Sequence, residues 1–338
     1  MNSEISNKHI EIVVPDDYPP VFADSAALGR LNRLPGLEVE SYADRPQNSE
    51  ELIQRVSGAH TIILARSNTR LTNSVLESTA PDLKHIAILG TATDHVSLEA
   101  TRRLGVVVTN TPNSSTFAVA EHALALLFSL ARKIPQLDLR VRLGEWPGGQ
   151  LTQLAGKTLG IVGTGSVGIR LARIASGVGM RILVNSISES VKENEKTNWT
   201  EVSFSELLTN SDAISVHARL TPETRFMFGA SEFSQMKPTA LFINTARGDL
   251  VDSEALAEAL ANETIAGAAL DVFNREPLNP QSILNQLPNV ILTPHIASNT
   301  NEALIVSLNM VIDNVINFIN GDDVPSLMLD HLTGGSAS

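Results

Sequence analysis

Four short stretches of the 338-residue chain hold residues whose types and spacing could do chemistry. The first is Gly163-Thr164-Gly165-Ser166-Val167-Gly168, which follows an apolar run at 159–162 and precedes a helical pattern with Ile169, Leu171, Ala172, Ile174 and Ala175. In a strand–turn–helix of this kind Gly163 permits the tight turn, Gly165 lets backbone approach a pyrophosphate, and Gly168 lets helix and strand close on each other. The pyrophosphate of a dinucleotide then sits on a helix N-terminus, where free N–H groups and the dipole favour an anion. The other three stretches are Asn244-Thr245-Ala246-Arg247-Gly248, Leu270-Asp271-Val272-Phe273-Asn274-Arg275-Glu276-Pro277-Leu278 and Thr293-Pro294-His295-Ile296-Ala297. Each lies just after a predicted strand, and in open α/β sheets ligands bind beyond the carboxyl ends of strands.

The elements that must position these loops alternate between strand and helix. Strands are predicted at 10–14, 38–42, 61–65, 84–89 and 106–109, with helical stretches such as 25–33 and 50–56 between them. A second series gives strands at 158–162, 181–184, 213–216, 240–244, 267–270 and 290–293. Such alternation implies parallel strands with helices on both faces. The segment 115–132 is apolar nearly all round, which predicts a helix buried between domains or subunits. Residues 143–150, with Trp146, Pro147, Gly148 and Gly149, read as a loop, and Ser203-Phe204-Ser205-Glu206 reads as a capping box. The helix expected at 300–319 crosses back to the first domain, and 334–338 reads as an unstructured tail. The division that follows is a substrate domain from 1–110, a cofactor domain from 111–299 and a returning segment from 300–338.

Composition narrows the partners. The formal charge is −12 with signs interspersed, which disfavours nucleic acid. The 43% hydrophobic share supplies two full cores, and the chain has no cysteine, which excludes disulfides, thiolate metal sites and a thiol nucleophile. The polar first nine residues lack the apolar core of a signal peptide, and no apolar run reaches about 18 residues, so a cytoplasmic chain without a membrane span is expected.

Taken with Arg66-Ser67-Asn68-Thr69, Val119-Ala120-Glu121-His122, the stretch 154–168 and Leu220-Thr221-Pro222-Glu223-Thr224, these motifs resemble the D-isomer-specific 2-hydroxyacid dehydrogenase family over about 62–303. The resemblance implies two doubly wound parallel-sheet domains, a Rossmann cofactor domain inserted into a flavodoxin-like substrate domain, able to close over the substrate. It implies hydride transfer between NAD or NADP and a small D-2-hydroxy acid or its 2-oxo acid, without a metal; a homodimer is expected because the apolar helix after Ser115 needs a buried partner surface. His295 would be the acid–base residue, Glu276 would bond its imidazole and fix its tautomer, and Arg247 would hold the substrate carboxylate. Asp271 resembles the residue that bonds the nicotinamide carboxamide, and Thr116, His217 and Thr245 resemble other cofactor contacts. Backbone around Gly90-Thr91-Ala92 would cradle the substrate carboxylate, with Arg66 and Ser67 lining the same mouth. His122 is assigned to packing.

Departures from the family pattern also stand in the sequence. Thr91 and Ala92 put β-carbons where glycine is common, and Arg219 replaces a usual proline. Ser186 stands where a carboxylate would read the adenosine ribose and select NAD, so NADP(H) is expected to be used at least comparably, with Arg219 as a candidate positive charge. Two alternatives are a formate- or phosphite-like dehydrogenase and a corepressor-like dinucleotide sensor. Formate-type enzymes pair the histidine with glutamine, which Glu276 disfavours.

Overall fold

The computed structural model describes residues 9–23, 25–66, 68–186 and 199–327. Ser67, Ile187 and the tail at 334–338 therefore lie outside the described residues. The chain divides into two compact units, Met1–Ser115 with Asn301–Ser338, and Thr116–Thr300.

The first unit runs β1 (Ile10–Val14), α1 (Leu28–Leu31), β2 (Leu37–Ser41), α2 (Ser49–Val56), β3 (Thr61–Leu64), α3 (Asn73–Thr79), β4 (His85–Ile88), α4 (Leu98–Leu104) and β5 (Val107–Thr109). Its strands are all parallel, in the order β2-β1-β3-β4-β5, which is the flavodoxin-like winding. β3 and β4 are buried at every position, as strands covered on both faces must be.

The second unit runs α5 (Thr116–Ala131), α6 (Ile134–Arg142), β6 (Thr158–Val162), α7 (Ser166–Gly177), β7 (Arg181–Asn185), β8 (Trp199–Glu201), α8 (Phe204–Asn210), β9 (Ala213–Val216), α9 (Ala230–Gln235), β10 (Leu241–Asn244), α10 (Ser253–Ala261), β11 (Gly267–Leu270) and β12 (Val290–Leu292). The parallel order β12-β11-β10-β9-β6-β7-β8 is the Rossmann winding with one further strand. The switch point falls between β6 and β9, whose register pairs Val162 with Val216. Ser203 and Glu206 form the expected capping box at the start of α8.

The long helix α11 (Asn301–Asn320) belongs to the first unit. By length and composition it could cross a membrane, although polar residues interrupt its apolar run. Its buried residues Leu308, Val311, Ile312 and Val315 instead share a core with Ile12, Val14, Ile63 and Ala87.

The expectation for α5 needs correction. Ala120, Ala123, Leu126, Leu127 and Leu130 join a core with Leu159 and Ile161 of β6, Leu171 of α7 and Ile243 of β10. The helix is a covering layer of its own unit's sheet, so it needs no second domain or subunit to bury that face. The helix α6 and the short strand β8 are additions to the elements predicted above.

Candidate active site

The glycine loop has the shape a dinucleotide needs. Gly163, at φ +98°, lies so close to the end of β9 that an added Cβ would stand 2.7 Å from Ala218 N. At Gly168 a Cβ would meet the Gly163 carbonyl oxygen at 2.1 Å, whereas a Cβ at Gly165 would meet nothing within 4 Å. The first and third glycines are thus required by packing, and the second faces open space. Gly165 caps α7 without any side-chain acceptor, which leaves the first N–H groups, from Ser166 onward, without a side-chain cap. Val167 packs at the margin of the core below.

Other candidates surround this loop. Thr116 Oγ1, at the start of α5, donates to Ser166 Oγ at 3.2 Å. Ser186 Oγ and Thr164 Oγ1 are 2.6 Å apart, joining the end of β7 to the glycine loop. The guanidinium of Arg219 is exposed and makes no ion pair among the described residues; its carbonyl accepts from Thr224 Oγ1 at 2.7 Å. His217 Nε2 lies 2.8 Å from Ser215 Oγ, and burial pushes its pKa down to about 4, so the ring is neutral. Thr245 is buried and its Oγ1 has no hydrogen-bond partner among the described residues. A buried hydroxyl of this kind fits a site built to meet a ligand.

The three strand-end loops are tied to one another. Asn244 accepts from Ala246 N at 3.0 Å and donates to the Arg247 carbonyl at 2.9 Å, fixing the turn that carries Arg247. The Arg247 guanidinium donates to Ala246 O at 2.7 Å. Gly248 has no room for a side chain, because a Cβ would stand 2.0 Å from the Phe273 carbonyl carbon. Asn274 Nδ2 donates to Asp249 Oδ1 at 2.9 Å and to Val251 O at 3.1 Å. The loops after β10 and β11 therefore have one register. Glu276 accepts from Phe273 N at 3.1 Å and, with its other oxygen, lies 2.7 Å from His295 Nδ1. His295 has φ +53°, a left-handed conformation unusual for a residue with a Cβ.

The Asp271 carboxylate reaches the loop that carries His295. Its side chain is 0% exposed. Oδ1 accepts from Thr293 Oγ1 at 2.6 Å and Ile296 N at 3.0 Å, and Oδ2 from Ala297 N at 2.9 Å. Burial works to raise its pKa, but the bonds from His122, Thr293 and these N–H groups outweigh it and hold the carboxyl below the usual range.

In the first unit, Arg66 donates to the Pro19 carbonyl, and its Nε is buried without a hydrogen-bond partner among the described residues. Burial lowers its pKa, against the opposing pull of Asp17 and Asp16. The Gly90 loop is clamped from below: Gly90 N donates to Thr111 Oγ1 at 2.7 Å and Asn110 Nδ2 to Thr91 O at 2.8 Å. Thr91 and Ala92 remain on the accessible side.

Residues 124–297 match the family model described as D-isomer specific 2-hydroxyacid dehydrogenase, NAD binding domain. The chain belongs to this family. A glyoxylate reductase from Aeropyrum pernix is 43% identical over 263 residues, 75% of this chain and 78% of that one. A D-3-phosphoglycerate dehydrogenase from Archaeoglobus fulgidus is 37% identical over 288 residues, 85% of this chain but 54% of the longer relative. Among solved structures, an acyclic imino acid reductase in complex with NADPH and D-arginine superposes with a TM-score of 0.84 at 31% identity, covering 94% of this chain and 100% of that one.

As a member of the D-2-hydroxyacid dehydrogenases, the chain is an oxidoreductase that moves a hydride between NAD(P)(H) and a small D-2-hydroxy acid or its 2-oxo acid. The corepressor-like and formate- or phosphite-like alternatives are not favoured. Within the second unit the structure brings Glu276 and His295 into contact and places Thr116, Thr164, Ser166 and Ser186 around one loop. Asn244, Thr164 and His122 were missed as site residues. Asn244 ends a buried strand and Thr164 sits at a variable position of the glycine motif, so only spatial neighbours reveal what either touches.

Proposed function

We propose that the enzyme reduces glyoxylate, or a 2-oxo acid of similar size, with His295 as proton donor. The Glu276–His295 contact of 2.7 Å carries this reading. Glu276 accepts the Nδ1 proton, which leaves Nε2 to hand a proton to the carbonyl oxygen during reduction and to take it back during oxidation. Arg247 presents a planar fork suited to a carboxylate, and its turn is held by Asn244. Gly163, Gly165, Ser166, Val167 and Gly168 would hold the pyrophosphate, with Thr116, Ser186, His217, Arg219 and Thr245 as further contacts. Bound there, the nicotinamide supplies or accepts the hydride. In the first unit, Arg66, Thr91 and Ala92 would meet the substrate.

The size of the substrate is supported by the length match to the glyoxylate reductase and by the β-carbons of Thr91 and Ala92. NADP(H) use is supported by the hydroxyl pair Thr164–Ser186, where no carboxylate repels a 2′-phosphate. A dimer is supported by the apolar arm of α6 and the segment after it: Ile134, Leu139, Val141 and Leu143 are exposed and Trp146 is 91% exposed. The test is consumption of NADPH and NADH with glyoxylate, hydroxypyruvate, pyruvate and phosphohydroxypyruvate. A highest kcat/KM with phosphohydroxypyruvate would refute the assigned substrate size.

A further inference from the structure

Three strand-end loops of the second unit meet at one carboxylate, that of Asp249. Its Oδ1 accepts from Asn274 Nδ2 at 2.9 Å, and its Oδ2 pairs with Arg225 Nη1 at 2.8 Å. The Asp249 carbonyl accepts from Phe226 N at 2.8 Å. Arg225 and Phe226 lie in the loop after β9, Asp249 after β10 and Asn274 after β11. The Arg225 guanidinium also stands 4.7 Å over the ring of Phe226, whose backbone is at φ +55°. A residue with a Cβ keeps such a φ only where its surroundings hold it, so the Arg225 end of the network is braced. Asn274 Nδ2 also donates to Val251 O at 3.1 Å, and one amide thus grips the β10 loop on both sides of Leu250.

These bonds join the two halves of the candidate chemistry. Asp249 is two residues from Arg247, and Asn274 is two residues from Glu276. Asn274 also follows Phe273, whose N–H holds the Glu276 carboxylate that meets His295. The close backbone packing at Gly248 limits how near the two loops come. It has no direction along them, whereas hydrogen bonds do, so the Asn274–Asp249 clamp fixes how one loop slides on the other. Stability is a minor part of its effect. The Arg225 side chain is 52% exposed, and an ion pair so exposed adds little to folding. A misplacement of about 1 Å in a site, by contrast, costs up to about a hundredfold in rate.

We propose that Asn274 and Asp249 are positioning residues that set Arg247 against the Glu276–His295 pair, so that a 2-oxo acid held by its carboxylate presents its carbonyl to the imidazole. The proposal rests on the roles given above to Arg247, Glu276 and His295.

The experiment uses the full chain and whichever of the four 2-oxo acids named above has the highest kcat/KM, with NADPH affinity read from nicotinamide fluorescence. Asn274→Ala is expected to lower kcat by about 5- to 50-fold, with KM and the NADPH Kd within about twofold of wild type and Tm within about 3 °C. Asn274→Asp sets two carboxylates against each other and should lose at least as much. Combining Asn274→Asp with Asp249→Asn lets the pair bond again with donor and acceptor reversed, and should regain most of the kcat lost in Asn274→Asp. No recovery in that exchange, or a lowered Tm with kcat unchanged in Asn274→Ala, overturns the clamp while an impaired Glu276→Gln leaves the acid–base reading standing. An undiminished kcat in Glu276→Gln removes that reading, and the clamp with it. Should Asn274→Ala fail to fold, Asn274→Asp and its exchange partner carry the same comparison.

Discussion

Glu276 Oε2 and His295 Nδ1 stand 2.7 Å apart, and the second oxygen of Glu276 accepts the N–H of Phe273, three residues earlier in its own loop. The carboxylate is therefore fixed before it meets the imidazole, and Nδ1 is the ring nitrogen that it takes up. His295→Ala should cut kcat by about 10²–10⁴, the usual share of a general acid–base residue, with cofactor affinity retained. Glu276→Gln should cost less, about tenfold, because the amide oxygen still orients the ring but no longer stabilises its charged form. Steady-state kinetics with glyoxylate check both; equal kcat in wild type and His295→Ala rejects the assignment.

Arg247 tests the carboxylate clamp. Arg247→Lys keeps the charge but loses the planar fork, so kcat/KM for 2-oxo acids should fall by about two orders of magnitude. Near-normal kinetics in the lysine variant would rule out bidentate holding.

The proposed use of NADP(H) can be tested at Ser186, whose hydroxyl lies 2.6 Å from that of Thr164. Ser186→Asp puts a negative charge where a 2′-phosphate would lie and should shift the kcat/KM ratio toward NADH by about tenfold or more. A wild-type preference for NADH beyond about a hundredfold, roughly 2.7 kcal/mol, contradicts the expectation.

Two neutral histidines make acid stability measurable. His85, fully buried and 2.9 Å from Thr109 Oγ1, has its pKa pushed down by burial to about 3, and His217 is pushed down to about 4. Both folded-state values lie below the ordinary 6.5. The unfolded chain thus takes up protons that the folded chain refuses, and stability falls as pH drops from 6.5 toward these values. Between pH 6.5 and 4.5, ahead of most carboxylates, His85 alone should contribute a decline of roughly 1 kcal/mol per pH unit. Urea midpoints across that window check this; a His85→Asn variant should show a shallower slope, and an identical slope counts against it.

Association can be read from the exposed arm. Leu139→Glu combined with Trp146→Glu should convert a dimer into a monomer in sedimentation velocity, with the fold unchanged by circular dichroism. An unaltered dimer places the interface elsewhere.

The winding of both sheets was legible from alternation, because each β-branched run must be followed by a helix that covers it, as β3, β4, β9 and β10 show. The glycine loop was legible because its function is written in the absence of side chains, and Gly163 and Gly168 prove to have no space for one. That the loops carrying Arg247, Glu276 and His295 share one edge of the sheet was legible because each follows a strand, and parallel strands deliver all such loops to one edge. The partners of those residues were not legible in this way. Asn244 holds the Arg247 turn, Thr164 meets Ser186, and His122, on an apolar helix that read as packing, reaches Thr293 and lies beside Asp271 across 149 and more residues of chain. Periodicity reports which face of an element is buried, whereas a hydrogen bond between distant elements depends on register, helix rotation and distance to a few tenths of an ångström. Only the packed structure sets these, so it alone shows Asp271 turned inward to the His295 loop and α5 covering its own sheet.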